Sequence, residues 1–411
     1  MLNKNNQREL AYLVKVDNVT PMDADRLECA HIGGWHCVVG KGEFQVGDTA
    51  VYFEIDSQLP DKEPFSTMEF LRSKQFKIKT QKIRGEYSQG LLMPVSAFGW
   101  VIQLDGSIWC PEDGDHGRHY IDDESRFLTE KLGVTYAEHV DNIRKSNGVD
   151  KYKKMSARHP KIFKRRWVRW LMKRQWGKEL LYFFFGKRRD SKGVWPSWVR
   201  KTNEERIQNC SWLLAENKDW VVTEKIDGTS TTFALKDRKF YVCSHNVVFD
   251  GPDKNCYYDT NVYLEMAQKY DMKNKMCEAL KLRRLLDRNV IGLIVQAETY
   301  GKKIQRRDYS RDDHDMAVFN VIWVFKDGSQ KRLNPIEGRQ YCDCYGLPFV
   351  PIIGQISLPN SCDEIIAFAG SEPSKIDGHM REGIVCRSLD GAQSFKAVSP
   401  QYLVKYHGKQ R

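Results

Sequence analysis

The run Val221-Val222-Thr223-Glu224-Lys225-Ile226-Asp227-Gly228-Thr229-Ser230 sets a single lysine at the edge of a β-rich segment. Val221 and Val222 favour a strand, and Asp227-Gly228 tolerates the backbone angles of a tight turn. Lys225 is therefore expected at a sheet edge, aimed at whatever lies above the turn. An amine is a nucleophile only when neutral. With an ordinary pKa of about 10.4 it is almost wholly protonated at neutral pH, so a working nucleophile needs nearby positive charge to favour the free base. Other groups recur downstream at strand-like positions. Glu298 closes the apolar run Gly292–Ala297, Glu382 stands in Arg381-Glu382-Gly383-Ile384-Val385, and Lys396 stands in Ser394-Phe395-Lys396-Ala397-Val398. Carboxylates supply the oxygen ligands that hard cations want. Taken singly, Glu298 is equally a strand-end residue in solvent, and Phe319, within Ala317–Trp323, is equally core.

The spacing Lys-x-Asp-Gly-x-Ser at 225–230 resembles motif I of the covalent nucleotidyltransferases, which comprise DNA ligases, RNA ligases and mRNA capping enzymes. The later segments follow in that superfamily's order, and this order is far more specific than any one of them. The resemblance implies that Lys225 attacks the α-phosphate of ATP and becomes lysyl-AMP. It places Glu224, Ile226, Asp227 and Gly228 around the nucleotide, Glu298 on the ribose and Phe319 against the purine. Glu382, with Asp227, would hold Mg²⁺ or Mn²⁺ directly or through its water. Lys396 would stabilise charge on the α-phosphate and, with the metal, keep the Lys225 amine neutral. His245, in Ser244-His245-Asn246, stands where relatives carry arginine. It can still donate a hydrogen bond but lacks the charged fork. Relatives also carry Lys-x-Lys around Lys396, where Ser394 or Val398 replaces one lysine here. Lys201-Thr202-Asn203-Glu204-Glu205-Arg206-Ile207-Gln208 resembles the segment preceding motif I in one RNA ligase branch, making Arg206 a catalytic candidate for holding the leaving pyrophosphate. Lys201 and Lys405 are weaker phosphate candidates.

The elements that must position these groups fall into three stretches. Residues 1–100 read as an OB-like barrel, from short β-rich runs at Leu10–Val16, Trp35–Val39 and Thr49–Ile55 separated by turns. Lys79, Lys82 and Arg84, with Tyr87 close by, are expected on or near one strand as an RNA-binding face, since such barrels pair a basic groove with aromatic platforms. A charged face on a bracing domain is the alternative. Residues 101–193 read as a basic, partly helical connector. Thr129–Tyr136 is expected as a helix ending at Gly133, Thr202 as the cap of a short helix, and Cys110, His116 and His119 as an ordinary polar loop. In Lys161–Arg174, Trp167, Trp170, Leu171 and Arg174 share a helical face. That segment can lie on an anionic membrane, dock on phosphates, or bury its Trp side on a neighbouring domain; the last two together are expected. Residues 194–411 read as the adenylyltransferase domain. The fold class is α+β: an amino-terminal OB-like β-barrel plus a nucleotidyltransferase domain of packed antiparallel sheets with flanking helices.

Composition is consistent with this. The 411 residues suffice for two or three domains, and a formal net charge of +11 points to a polyanionic partner. Eleven cysteines without a CxxC pair read as reduced thiols. With no signal-type apolar segment and no membrane-length run, an intracellular location, cytoplasmic or nuclear, is expected, with no membrane partner and a monomeric state. The expected function is an ATP-dependent RNA ligase sealing 3′-hydroxyl and 5′-phosphate RNA ends. DNA ligases and GTP-dependent capping enzymes share the motifs but usually carry their OB domain after the nucleotidyltransferase domain. Here little more than a dozen residues follow the Lys396 segment, so RNA ligase is favoured. An inert single-stranded nucleic-acid-binding protein is the non-enzymatic alternative.

Overall fold

The computed structural model describes residues 1–5, 7–137, 160–163, 165–185, 195–201, 204–216, 218–249 and 260–408. The fold is α+β. In the amino-terminal part, Ala11–Lys15, Thr49–Phe53 and Leu91–Pro94 form one antiparallel sheet, and Asn18–Pro21, Leu27–Ile32 and Trp35–Gly40 form another. Along Trp35–Gly40 buried and part-buried residues alternate, as a half-buried strand requires. Lys82 lies on the short strand Gln81–Ile83, exposed, with its ammonium 5.4 Å from the Tyr87 ring. Arg84 does not continue that strand: its positive φ of 49° and that of Gly85 make the turn into Glu86–Ser88.

The segment after residue 100 is not a free connector throughout. Ile108, Cys110, Leu128, Leu132 and Val134 share a core with Leu10, Leu13 and Phe53. The expected helix at Thr129–Tyr136 is absent. The Thr129 hydroxyl instead accepts from the Leu10 and Ala11 amides, and Thr135–Tyr136 pairs with Ser57–Gln58. Tertiary hydrogen bonds override the local helical pattern there; Gly133 supplies a left-handed turn, at φ +68°. The basic stretch forms the helices Pro160–Phe163, Arg166–Met172 and Gln175–Phe185. Its Trp167 and Trp170 are exposed rather than buried on a neighbouring domain.

The second half is built on two sheets. One orders its strands Glu205–Arg206, Ser394–Val398, Gly383–Ser388, Asp219–Lys225 and Ile352–Ser357. Helix Cys362–Ser371 covers it, burying Ile365, Ile366 and Ala369. The other orders Val248–Phe249, Lys239–Cys243, Thr229–Lys236, Val290–Gly301, His314–Phe325 and Gln330–Arg332. Helices Val262–Lys269, Met272–Leu286 and Pro335–Cys344 contribute to its core; Met272, Met276, Ala279 and Leu280 put one face of their helix inward. The expected Asp227-Gly228 turn does not join two paired strands. Asp219–Lys225 belongs to the first sheet and Thr229–Lys236 to the second, so Ile226-Asp227-Gly228 is the crossing between them.

The two halves touch through polar groups. The Trp35 indole donates to Asn209 Oδ1 at 2.6 Å, and the Asn209 amide donates to Glu54 at 3.1 Å. A Cβ on Gly34 would stand 2.7 Å from both Gln208 Cα and Cys362 Sγ, so only glycine fits at that contact. Thr202 lies outside the described residues. The short helix expected to start there is replaced by the two-residue strand Glu205–Arg206 and a 3₁₀ turn, Ile207–Asn209.

Candidate active site

Antiparallel register brings the first pair together. Lys225 stands opposite Gly383, so Glu382 arrives beside it at the start of the neighbouring strand. The Lys225 ammonium lies 2.7 Å from one Glu382 carboxylate oxygen and 2.9 Å from the other. Burial pulls the amine's pKa down, but Glu382, Glu298 and Asp227 outweigh it and hold the amine above its ordinary value. The amine in this structure is therefore a charged ion-pair partner, with carboxylates rather than Lys396 setting its state.

Glu298 comes from the second sheet, opposite Ser230, and takes a backbone hydrogen bond from Gly228. Burial, with Glu382 and Asp227 nearby, pushes its carboxyl up to about 8 against the pull of Lys225. The folded state thus holds a proton that the unfolded chain releases near 4.5, and stability falls as pH rises between those values. Glu298→Gln is expected to remove this loss. Thermal unfolding at about pH 9 should then show the variant more stable than the wild type by a few kcal/mol, with the difference fading towards pH 5. Equal pH slopes for the two proteins would contradict it. Gly228 is fixed by crowding, since a Cβ would stand 2.3 Å from Thr299 O and 2.9 Å from Glu298 Cγ.

Asp227 is clamped from the far end of the chain. Its carboxylate accepts from the Tyr402 hydroxyl at 2.9 Å and lies 3.3 Å from His407 Nε2, while its own amide donates to the Tyr309 hydroxyl at 2.6 Å. Burial pushes Asp227 up, but His407, Lys225 and Tyr402 bring it below the ordinary value. His407 moves the other way: burial lowers it, and Asp227 and Glu382 raise it further. Tyr309, Tyr402 and His407 carry no motif signal and were not anticipated. Glu382 is also raised, by burial first and by Asp227, against the pull of Lys225.

Three carboxylates against one lysine suit a hard divalent cation. They do not form a compact three-ligand cage. Among the described residues the one group of three such ligand atoms lying within 4.8 Å of one another is Cys110, Asp113 and His119. There Lys131 already donates to Asp113, and burial pushes the Cys110 thiol up to about 11. A cation near Lys225 would thus be held by Glu382 and Asp227 partly through its own water.

Arg206 and Lys396 lie side by side in parallel register. Arg206 is buried, with Nη2 3.3 Å from Asp56 and Nε 3.9 Å from Glu54 of the amino-terminal domain. Its Nε and Nη1 hydrogens have no hydrogen-bond partner among the described residues. Buried donors of this kind are costly unless something else satisfies them. Burial, then Arg206, Arg8 and Lys225, bring the Lys396 ammonium down to about 7.

Phe319 is the extra residue of a β-bulge. Gln296 faces Asn320 and Ala297 faces Val318, leaving Phe319 between them. A bulge re-aims a side chain; the ring is half-buried, 5.9 Å from the Arg387 guanidinium. Glu224 alternates to the opposite face from Lys225 and accepts from the Ser374 hydroxyl and the Lys375 amide. Ile226 is core. His245 sits in the turn between Lys239–Cys243 and Val248–Phe249, and Lys201 donates to Asn246 in the same turn. Lys405 is exposed, 5.1 Å from the Tyr406 ring.

Residues 218–407 match the RNA ligase family, and residues 10–95 match an OB-fold domain. The whole chain resembles solved structures of the Naegleria gruberi RNA ligase. A mutant apo structure aligns at 27% identity and TM-score 0.70, covering 98% of this chain and 99% of the other. The chain thus carries an RNA ligase family domain behind an amino-terminal OB-fold domain. Further structures of the Naegleria ligase carry pyrophosphate (26% identity, TM-score 0.68) or, in a mutant, ATP and manganese (27%, 0.67), each covering 98% of this chain and 100% of that one. Curated protein sequences gave no match. The OB-fold domain borders the site in the RNA ligase domain, through Glu54 and Asp56 on Arg206. No helix among the described residues is long and apolar enough to cross a membrane.

Proposed function

We propose that this chain is an ATP-dependent RNA ligase that joins a 3′-hydroxyl to a 5′-phosphate through a lysyl-AMP at Lys225. The observation that carries the reading is the Lys225 amine at a strand end, paired with Glu382 and flanked by Glu298 and Asp227, inside an RNA ligase domain. In the first step the deprotonated Nζ bonds to the α-phosphorus, and the bond to pyrophosphate breaks. A bound Mg²⁺ or Mn²⁺ supplies charge masking for the triphosphate and lowers the amine's pKa. Glu382, in contact with the amine, releases it for attack when its carboxylate is engaged elsewhere. Lys396 and the open donors of Arg206 meet the developing phosphate charge. Glu298 accepts from the ribose, and Phe319 packs on the base. AMP then passes to an RNA 5′-phosphate, and a 3′-hydroxyl displaces it.

The test is incubation with α-labelled ATP and a divalent cation. A covalent label that is discharged by nicked RNA, with sealing, is expected. An unlabelled protein would defeat the proposal. Preferential labelling by GTP would indicate a capping enzyme, and sealing of nicked DNA in preference to RNA a DNA ligase.

Lys396 gives this reading a pH signature. Its ammonium is charged below about pH 7 and discharges as pH rises through that value. Affinity for ATP should therefore fall above pH 7, by up to about tenfold per unit. Lys396→Arg, whose guanidinium stays charged, should lose this fall. Equilibrium binding across the range measures it, and a flat wild-type profile would remove the role given to Lys396.

A further inference from the structure

We propose that the helical hairpin Arg166–Met172 and Gln175–Phe185 is a second RNA-binding surface, separate from the nucleotide pocket, that stacks single-stranded bases on Trp167, Trp170 and Trp176. The choice of RNA as occupant rests on the ligase reading; the surface itself rests on the following observations.

Residues 160–185 hold eight Lys and Arg against one Glu, a net of +7 out of +11 for the whole chain. Within the hairpin the aliphatic side is already used. Val168 and Leu181 are buried against each other's helices, with Ile162, Phe163, Leu171 and Met172 packed around them. Three tryptophans are left outside, 53%, 50% and 54% exposed at Trp167, Trp170 and Trp176. Exposed indoles in such a cluster mark a binding surface. Trp170 touches both a second indole and a cation. Trp170 and Trp176 meet edge to face at 6.1 Å, and the Arg174 guanidinium lies 4.1 Å from the Trp170 ring centroid.

The arrangement distinguishes a strand of RNA from a membrane. A helix that lies on a bilayer separates an apolar arc from a cationic arc. Here Val168, Leu171, Met172 and Leu181 are packed inside the hairpin, and the exposed residues described mix indoles with cations. At 100° per residue Trp167 and Trp170 fall within one narrow sector of the first helix, and Lys173 and Arg174 follow directly in the turn to the second. Aromatic faces beside cations are what a single strand needs, with bases on the rings and phosphates on the charges.

The test measures binding in a Lys225→Ala background, so the readout does not depend on whether Lys225 takes AMP. The probe is a fluorescein-labelled single-stranded RNA of mixed sequence, followed by anisotropy at several salt concentrations. Combining Trp167→Ala, Trp170→Ala and Trp176→Ala should weaken binding at least about tenfold without moving the thermal midpoint. Combining Arg169→Gln, Lys173→Gln and Arg174→Gln should reduce the slope of log K against log salt by about 2. Both variants binding RNA like their parent would overturn the proposal. So would capture of phosphatidylserine vesicles that the tryptophan variant loses while its RNA affinity is unmoved, which would make this a membrane surface. Either failure leaves the labelling test of the ligase reading intact.

Discussion

Lys225→Ala is expected to lose covalent labelling by α-labelled ATP by a factor on the order of 10⁴ or more, because it removes the Nζ proposed to bond to phosphorus. Lys225→Arg separates the two roles the geometry allows. A guanidinium can keep an ion pair with Glu382, which now spans 2.7 Å, but it stays charged and does not attack phosphorus. If Lys225 served only to hold two strands together, the arginine variant would behave like the wild type. It should instead be as inactive as the alanine variant, and labelling in either variant at wild-type strength would sink the nucleophile assignment.

The second large effect is expected at Glu382. Glu382→Gln removes a carboxylate in direct contact with the Lys225 amine. It also removes one of the charges that would attract a divalent cation, so two costs fall on the same step. Labelling should drop on the order of 10²-fold or more. Excess manganese should restore part of that loss if cation binding is the larger cost. Because Glu382 is among the charges that push Glu298 up, the Glu298 carboxyl should ionise at lower pH in this variant, a shift readable by carboxyl NMR. A Glu382→Gln protein labelled at the wild-type rate would show that the contact is structural.

The parts legible in the sequence were those set by local pattern. The β-rich runs around 10–55, the strand leading to Lys225 and the buried strand at 317–323 follow from branched and apolar residues in short runs. What stayed hidden depends on pairing between distant segments. The chain between Lys225 and Thr229 looks like a hairpin turn but crosses between sheets, since nothing local states which strands will pair. The extra residue at Phe319 is invisible until its register against Gln296 and Ala297 is known. The clamp on Asp227 joins residues 175 and 180 positions apart. The alternation that turns Glu224 away from Lys225 was readable in principle, because neighbours on a strand face opposite ways. Trp167 and Trp170 share the expected buried face with Leu171, yet only Leu171 packs inward, because a helical stripe does not say which of its apolar residues its own hairpin will cover.

The contact between Trp35, Glu54, Asp56, Arg206 and Asn209 has a practical corollary for engineering. The Arg206 guanidinium beside Lys396 takes its orientation from the OB-fold domain, so the two parts are not interchangeable modules. A chimera that borrowed a foreign barrel would need matching acids at positions 54 and 56 and a matching indole at 35. Without them it would carry every motif of the second half and still present Arg206, the arginine proposed to meet phosphate, at the wrong angle.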